Sequence, residues 1–246
     1  MKVCLAGLSS RKFLADEYMH CKYILESYYS MADWLIPTAL NCELFLLDSG
    51  AFTFMTTQKD VTDFNDYLTG YINFINKYDI KRFFELDVDS IVGIAEVERL
   101  RKRLEEETGK KCIPVWHKSR GKDYFIEMCR NYDYIAIGGI ASKEITTSEY
   151  KYFRWFIDTA HSYGCKIHAL GFTSLSGMYD YNFDSADSTS WLNGTKFGRL
   201  YHFDGKYMLK TEAEGRKRKN GITPSNIDRA NYYEWIRFQE FADKYL

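Results

Sequence analysis

Seven short runs of apolar and β-favouring residues recur along the chain, at 2–8, 44–50, 82–89, 112–117, 134–140, 166–172 and 182–189, with helical patterns between them. In Ile94, Val97, Leu100 and Leu104 the steps are three, three and four residues. That places all four on one face of a helix that Gly109 is positioned to end. The opposite face carries Glu98 and Lys102 one turn apart, and its run RKRLEEE reads as a solvated surface. Thr146 and Glu149 have the spacing of a capping box ahead of a helix bearing Phe153, Phe156, Ile157 and Ala160, which Gly164 closes. Strands that alternate with helices belong to a parallel sheet. The expected fold is therefore α/β, a (β/α)8 TIM-type barrel irregular at its last strand, with a doubly wound open sheet as the alternative.

After the seventh run the pattern changes. Residues 200–210 read as a hairpin around Asp204-Gly205, and a glycine-bounded basic loop follows at 214–221. Pro224-Ser225 then opens a terminal helix, with Ser225 and Asp228 as cap and Trp235, Phe238 and Phe241 on one face. The 246 residues show no linker or repeat, so a single domain is expected, with a barrel core over about 1–200 and the hairpin, loop and helix over about 200–246.

Composition narrows the function classes. The 33 Lys and Arg balance 34 Asp and Glu, which denies the protein a global basic field; a polyanion must be held by a local patch. The longest stretch free of formal charge, 167–179, is shorter than a membrane span, and the N-terminus MKVCLAGLSSRKF lacks the apolar core of a signal peptide. A cytoplasmic protein without membrane contact is expected. Six scattered cysteines form no CxxC pair, and Cys165 with His168 has no second ligand pair at zinc spacing, so no metal is expected; Gly138-Gly139 lacks the GxGxxG spacing of a dinucleotide site and has no P-loop lysine, and no cofactor is expected.

In a barrel, catalytic residues belong at the carboxyl ends of strands. Asp48-Ser49-Gly50 closes the second run, Asp87 and Asp89 the third, His117 the fourth, Gly138-Gly139 the fifth, and Asp184 with Asp187 the seventh. Taken alone, each is readable as a turn, a cap or close packing. Their convergence on one rim points instead to chemistry shared between two acids, one acting as nucleophile and one giving and taking a proton. With His117 as the one histidine expected there, a divalent metal is less favoured.

Five of these runs together resemble the tRNA-guanine transglycosylases, and most closely their relatives that place 7-deazaguanines in DNA. Residues 47–53 (LDSGAFT) are similar to the family's DSGGFQ, 134–141 (YIAIGGIA) to its aiGGLa, 169–173 (ALGFT) to its LMGvGtP, 184–187 (DSAD) to its D-x-x-D, and Leu86-Asp87 to its base-reading strand end. The resemblance implies guanine exchange in nucleic acid for a free 7-deazaguanine such as 7-cyano-7-deazaguanine. Asp187 would be the nucleophile, Asp48 the acid and base, and Asp87, with Asp89 beside it, the base reader. Ser49, Gly50, Phe52, Trp116, His117, Gly138, Gly139, Ile140 and Gly171 would line the base pocket. No cysteine follows Cys165, so the zinc subdomain of the tRNA enzymes is absent, which favours DNA over tRNA as the partner. Lys118, Arg120 and Lys122, together with Arg216, Lys217, Arg218 and Lys219, are the basic segments expected to grip phosphates. A glycosidic hydrolase and a noncatalytic nucleic-acid-binding barrel are the rivals.

Overall fold

The computed structural model of the chain describes residues 1–57, 64–172, 174–212 and 224–246. Seven parallel strands make one sheet: β1 (Lys2–Ala6), β2 (Tyr23–Ser27), β3 (Leu44–Asp48), β4 (Val115–Trp116), β5 (Tyr134–Ile137), β6 (Lys166–Ala169) and β7 (Ser185–Ser188). Their order is β3-β2-β1-β7-β6-β5-β4. Around them run α1 (Ile36–Asn41), α2 (Ala51–Thr57), α3 (Asn65–Lys77), α4 (Asp89–Val92), α5 (Ile94–Thr108), α6 (Gly121–Asn131), α7 (Phe153–Ser162), α8 (Leu175–Asp180) and α9 (Asn193–Phe197). A two-stranded hairpin, β8 (Arg199–Phe203) and β9 (Met208–Glu212), and the long α10 (Pro224–Tyr245) complete the described elements.

The expected strand over 82–89 is corrected: it is reduced to two bridges, one to each edge of the sheet. Leu47 N–H donates to the Arg82 carbonyl and Phe84 N–H to the Leu47 carbonyl, while Glu85 N–H donates to Ile113 and Ile113 N–H to Phe83. A sheet whose two edges meet the same segment is curled, an arrangement compatible with a TIM-like barrel. The ladder stops because Val115 N–H turns to the Glu85 carboxylate at 2.8 Å instead of to a strand carbonyl. The strand that the spacing did not mark is β2, five residues set between isolated 3₁₀ turns.

Alternation along the strands sorts the core into layers. Cys4, Ala6, Tyr23, Leu25, Leu46, Phe84, Ile113, Val115, Tyr134 and Ala136 form the cluster between the strands' inner faces. Their neighbours Val3, Leu5, Ile24, Ile135, Ile137 and Ile167 pack in a second cluster that includes residues of the surrounding helices. Around α3 and α5, Leu68, Ile72, Val97, Leu100 and Leu104 build a third, as the helical spacing predicts for three of the four residues on the α5 face; Ile94, at the start of the helix, is exposed instead. Gly109 ends α5 at φ +66°, and Thr146 and Glu149 form the capping box before α7.

Three details of the C-terminal reading change. The hairpin turns through four residues, with the Asp204 carboxylate accepting from the N–H groups of Lys206 and Tyr207, rather than through Asp204-Gly205 alone. Asp228, expected only as a cap of α10, is buried and pairs with Arg11 at 2.6 Å. Asp184 precedes β7, at the end opposite the rim, where it accepts from Ile167 N–H and contacts His161. The terminal helix is clasped to the sheet by Gln239, whose amide donates to the carbonyls of Val3 and Tyr23 and accepts from Lys22 N–H. No described helix is long and apolar enough to cross a membrane.

Candidate active site

All seven strands run the same way, so their carboxyl ends lie along one edge, and five acids gather there. Asp48 ends β3, Asp87 and Asp89 follow the bridging segment, Glu144 follows β5 and Asp187 lies in the last turn of backbone of β7. Asp48 is set by the residues around it. From α3 the Tyr71 hydroxyl donates to the carbonyls of Leu47 and Phe84, both at 3.0 Å, and the Tyr67 hydroxyl donates to the Ser49 carbonyl. Gly50 has φ +67°, and a Cβ there would lie 2.3 Å from Ser27 Oγ, so only glycine lets its N–H fold back onto the Asp48 carboxylate at 3.1 Å. Burial, then the charge of Asp87, then that of Asp187 outweigh the N–H groups of Gly50 and Ser49 and push Asp48 up to about 7.

His117 bridges two acids: Nε2 lies 2.7 Å from Asp87 Oδ1, and Nδ1 lies 2.9 Å from Glu144 Oε2. Burial lowers its affinity for a proton, but the bond and charge of Asp87 and the bond of Glu144 prevail and push it up to about 9. It is an imidazolium at neutral pH. The expected glycines serve this pair: a Cβ on Gly138 would lie 2.7 Å from the His117 ring, and one on Gly139, at φ +79°, 2.8 Å from Glu144. Glu144 also accepts from Lys118 N–H at 2.8 Å.

Beside them lies a buried ion network. Arg120 reaches Glu85 at 2.9 Å and Asp89 at 3.0 Å, and Arg101 approaches Glu85 at 3.3 Å. Burial pushes Glu85 up and the two arginines counter it. Asp87, Asp89 and His117 offer ligand atoms within 4.8 Å of one another and are the described residues that could hold a metal ion. As placed, protein groups already satisfy them, Arg120 at Asp89 and His117 at Asp87.

Asp187 lies deeper. Its Oδ1 accepts from Gly171 N–H at 2.5 Å and meets His168 Nε2 at 3.3 Å, and His168 Nδ1 lies 2.5 Å from Ser185 Oγ. On β2, the buried Glu26 accepts from Leu8 N–H at 2.5 Å; burial, opposed by the Ser9 hydroxyl and the N–H groups of Leu8, Ser9 and Gly7, pushes it up to about 7.

The rim thus brings together Asp48, Ser49, Gly50, Asp87, Asp89, His117, Gly138, Gly139, Gly171 and Asp187. Trp116 faces away from it, packing on Phe125 and Phe156 in the helix layer with its N–H on the Gly121 carbonyl. Ile140 is buried in that same layer. The Arg120 side chain is 1% exposed and spent on Glu85 and Asp89, which corrects its assignment as a phosphate contact. Lys118 pairs with Glu149, and Lys122 lies over the Trp155 ring. These line a flank cavity of about 390 Å³ with Glu149, Trp116, Trp155 and Phe156, and none of the five rim acids lines it. The Phe52 side chain and the segment Arg216, Lys217, Arg218 and Lys219 lie outside the described residues. Glu26, Glu85, Glu144 and His168 were not anticipated. For His168 the signal was present: it and Ser185 and Asp187 occupy same-face positions on neighbouring strands.

No family model matches the chain, and no curated protein does. Among solved structures it is similar to one described as "QR15, an Aldolase", at 12% identity and a TM-score of 0.50, over 77% of this chain and 89% of that one. The resemblance to the transglycosylases is corrected accordingly. The fold neighbour is called an aldolase, and nothing supports guanine exchange, a glycosyltransferase activity or a 7-deazaguanine substrate. At this identity the likeness shows the fold alone and carries no activity across.

Proposed function

We propose that the rim is the active site of an enzyme that gives a proton to, and takes one from, a small polar substrate, with Asp48 as the acid and Asp187 as a fixed carboxylate partner. The observation that carries this is Asp48 itself, a strand-end carboxyl pushed up to about 7 by burial and by the charges of Asp87 and Asp187. A general acid works best when its pKa lies near the working pH, and carboxyls whose surroundings differ this way divide the acid and base roles between them. In this reading the bridging segment 82–86 stands as the eighth stave of a (β/α)8 barrel, which puts Asp87 beside Asp48. Carbon–carbon chemistry through a lysine Schiff base is not favoured. The described lysines that come next after β4 and β5, Lys118, Lys122 and Lys143, are exposed, and Lys118 is held by Glu149, whereas such a lysine needs a desolvated amine.

The test has two arms. In carbon-detected NMR the Asp48 carboxyl should titrate with a midpoint near 7, and Asp87→Asn should lower it; a midpoint below about 5 overturns the assignment. In heavy water, a panel of hydroxy acids, sugars and amino acids is screened for solvent-deuterium incorporation. Exchange that falls at least about 100-fold in both Asp48→Asn and Asp187→Asn supports the reading, and exchange indifferent to both defeats it.

A further inference from the structure

Inside the sheet, four polar side chains make a continuous line that the acid–base reading does not by itself require. Tyr134 Oη lies 2.5 Å from Ser185 Oγ, Ser185 Oγ 2.5 Å from His168 Nδ1, and His168 Nε2 3.3 Å from Asp187 Oδ1. His168 and Ser185 are 0% and 1% exposed, so no water substitutes for a missing partner. They meet because the strands are in register, with His168 opposite Ser185 and Asp187 two residues on, on the same face. The Phe84 ring, 5.4 Å from the imidazole, walls off the other side.

Counting hydrogens sets the direction of the line. Three contacts must be made from the Tyr134 hydroxyl, the Ser185 hydroxyl and one ring N–H, because a second ring N–H facing Ser185 Oγ would leave the hydrogen of Ser185 or of Tyr134 without an acceptor among the described residues. Asp187 Oδ1 already accepts from Gly171 N–H, so it is the accepting end. His168 then donates from Nε2 and accepts at Nδ1. Ser185 donates to Nδ1 and accepts from Tyr134. Every hydrogen along the line is then donated once, and Oδ1 takes two of them, from His168 and from Gly171. Running the line backwards would place a proton on an oxygen that already faces an N–H and would leave the Tyr134 hydrogen with no acceptor among the described residues.

We propose that His168 is a positioning residue that, fixed as its Nε2–H tautomer by Ser185 and Tyr134, holds one oxygen of Asp187 and so presents the other to the rim. Serine, histidine and aspartate are the residue types of a hydrolytic triad, but the order of use differs. Ser185 is buried and gives its hydrogen to the ring while taking one from Tyr134, so it is a link and not a nucleophile. Two N–H groups, from Gly171 and His168, converge on Oδ1; among the described residues none is directed at Oδ2. What the offered oxygen is used for rests on the function proposed above, whereas the line of bonds does not.

The test needs no substrate, so it can fail while the acid–base reading stands, and the reverse. The protein is labelled with ¹⁵N-histidine, and the ring nitrogens of His168 are assigned by their loss in His168→Gln. At pH 7, Nδ1 should read as the bare nitrogen and Nε2 as the protonated one; in Ser185→Ala the Nδ1 resonance should move while Nε2 keeps its proton. A proton on Nδ1, on both nitrogens, or averaged between them overturns the proposal. The Asp187 carboxyl carbon supplies the second readout. It should shift in His168→Leu and return toward its original position in His168→Gln, whose amide restores an N–H near the place of Nε2. Equal shifts in the two variants would make His168 a space-filler and sink the positioning role.

Discussion

Gly138 shows how strongly one hydrogen atom in place of a methyl group conditions the rim. A Cβ there would meet Cε1 and Nε2 of His117 at 2.7 Å and Val115 Cγ1 at 2.8 Å, and the ring has no slack because Asp87 and Glu144 hold both its nitrogens. Gly138→Ala should therefore push the imidazole off Asp87, at about 1–3 kcal/mol of stability in a chemical-denaturation measurement. The bond and charge of Asp87 that raise His117 weaken with it, so the ring's NMR titration should move down from about 9. An unchanged titration would mean that the ring is held by Glu144 alone. The pair Gly138-Gly139 was visible in the sequence as a place without side chains. That the vacancy belongs to His117 and Glu144 was not visible, because His117 stands 21 residues away after another strand, and Glu144, 5 residues beyond Gly139 in the same loop, carries no spacing that marks it as a partner.

At the scale of elements, the segment 82–89 carries a conflict between side chain and ladder. Glu85 takes Val115 N–H and gathers Arg120 and Arg101, so the chain keeps two bridges and loses the rest of a strand. Removing one member leaves a buried charge unmatched. Arg120→Met is expected to lose about 3–5 kcal/mol, and adding Glu85→Gln should recover a large part of it; full additivity of the two losses in denaturant titrations would show that they are not coupled. Helices with a regular period, α5 and α7, were legible down to Gly109 and the Thr146–Glu149 cap, since a helix records its buried face in its own spacing. The short β2 was not, for Tyr-Ile-Leu-Glu-Ser carries Glu26 where an apolar residue is expected, and the Ser9 hydroxyl with the N–H groups of Leu8, Ser9 and Gly7 make that position tenable. The strand-end acids Asp48, Asp87 and Asp187 were legible because a parallel sheet sends its carboxyl ends to one edge. His168 was read only as half of a metal motif, since its partners lie on β5 and β7.

For the molecule as a whole, the two raised carboxyls set a direction for stability against pH. Asp48 moves from 3.8 to about 7 and Glu26 from 4.5 to about 7. Between roughly pH 4 and 7 the folded chain holds protons that the unfolded chain has released, so these two groups make stability fall as pH rises through that window. The slope is at most about 1.4 kcal/mol per pH unit for each. Thermal melts at pH 5 and pH 8 should differ less in Asp48→Asn and Glu26→Gln than in the parent, and both variants should melt higher than the parent at pH 8; a gap that stays the same in both removes these groups as its cause. The clasp of α10 bears on how the chain gets there. Gln239 meets Val3 and Tyr23 across 236 and 216 residues, and the Met1 amine lies 3.1 Å from the Ala242 carbonyl. A chain made from Met1 onward must leave the carbonyls of Val3 and Tyr23 waiting until residue 239 has been synthesised. Rejoining the ends through a short linker and reopening the chain after β7 would turn that longest-range contact into a local one, and the rearranged protein should reach the same structure faster than the original order allows.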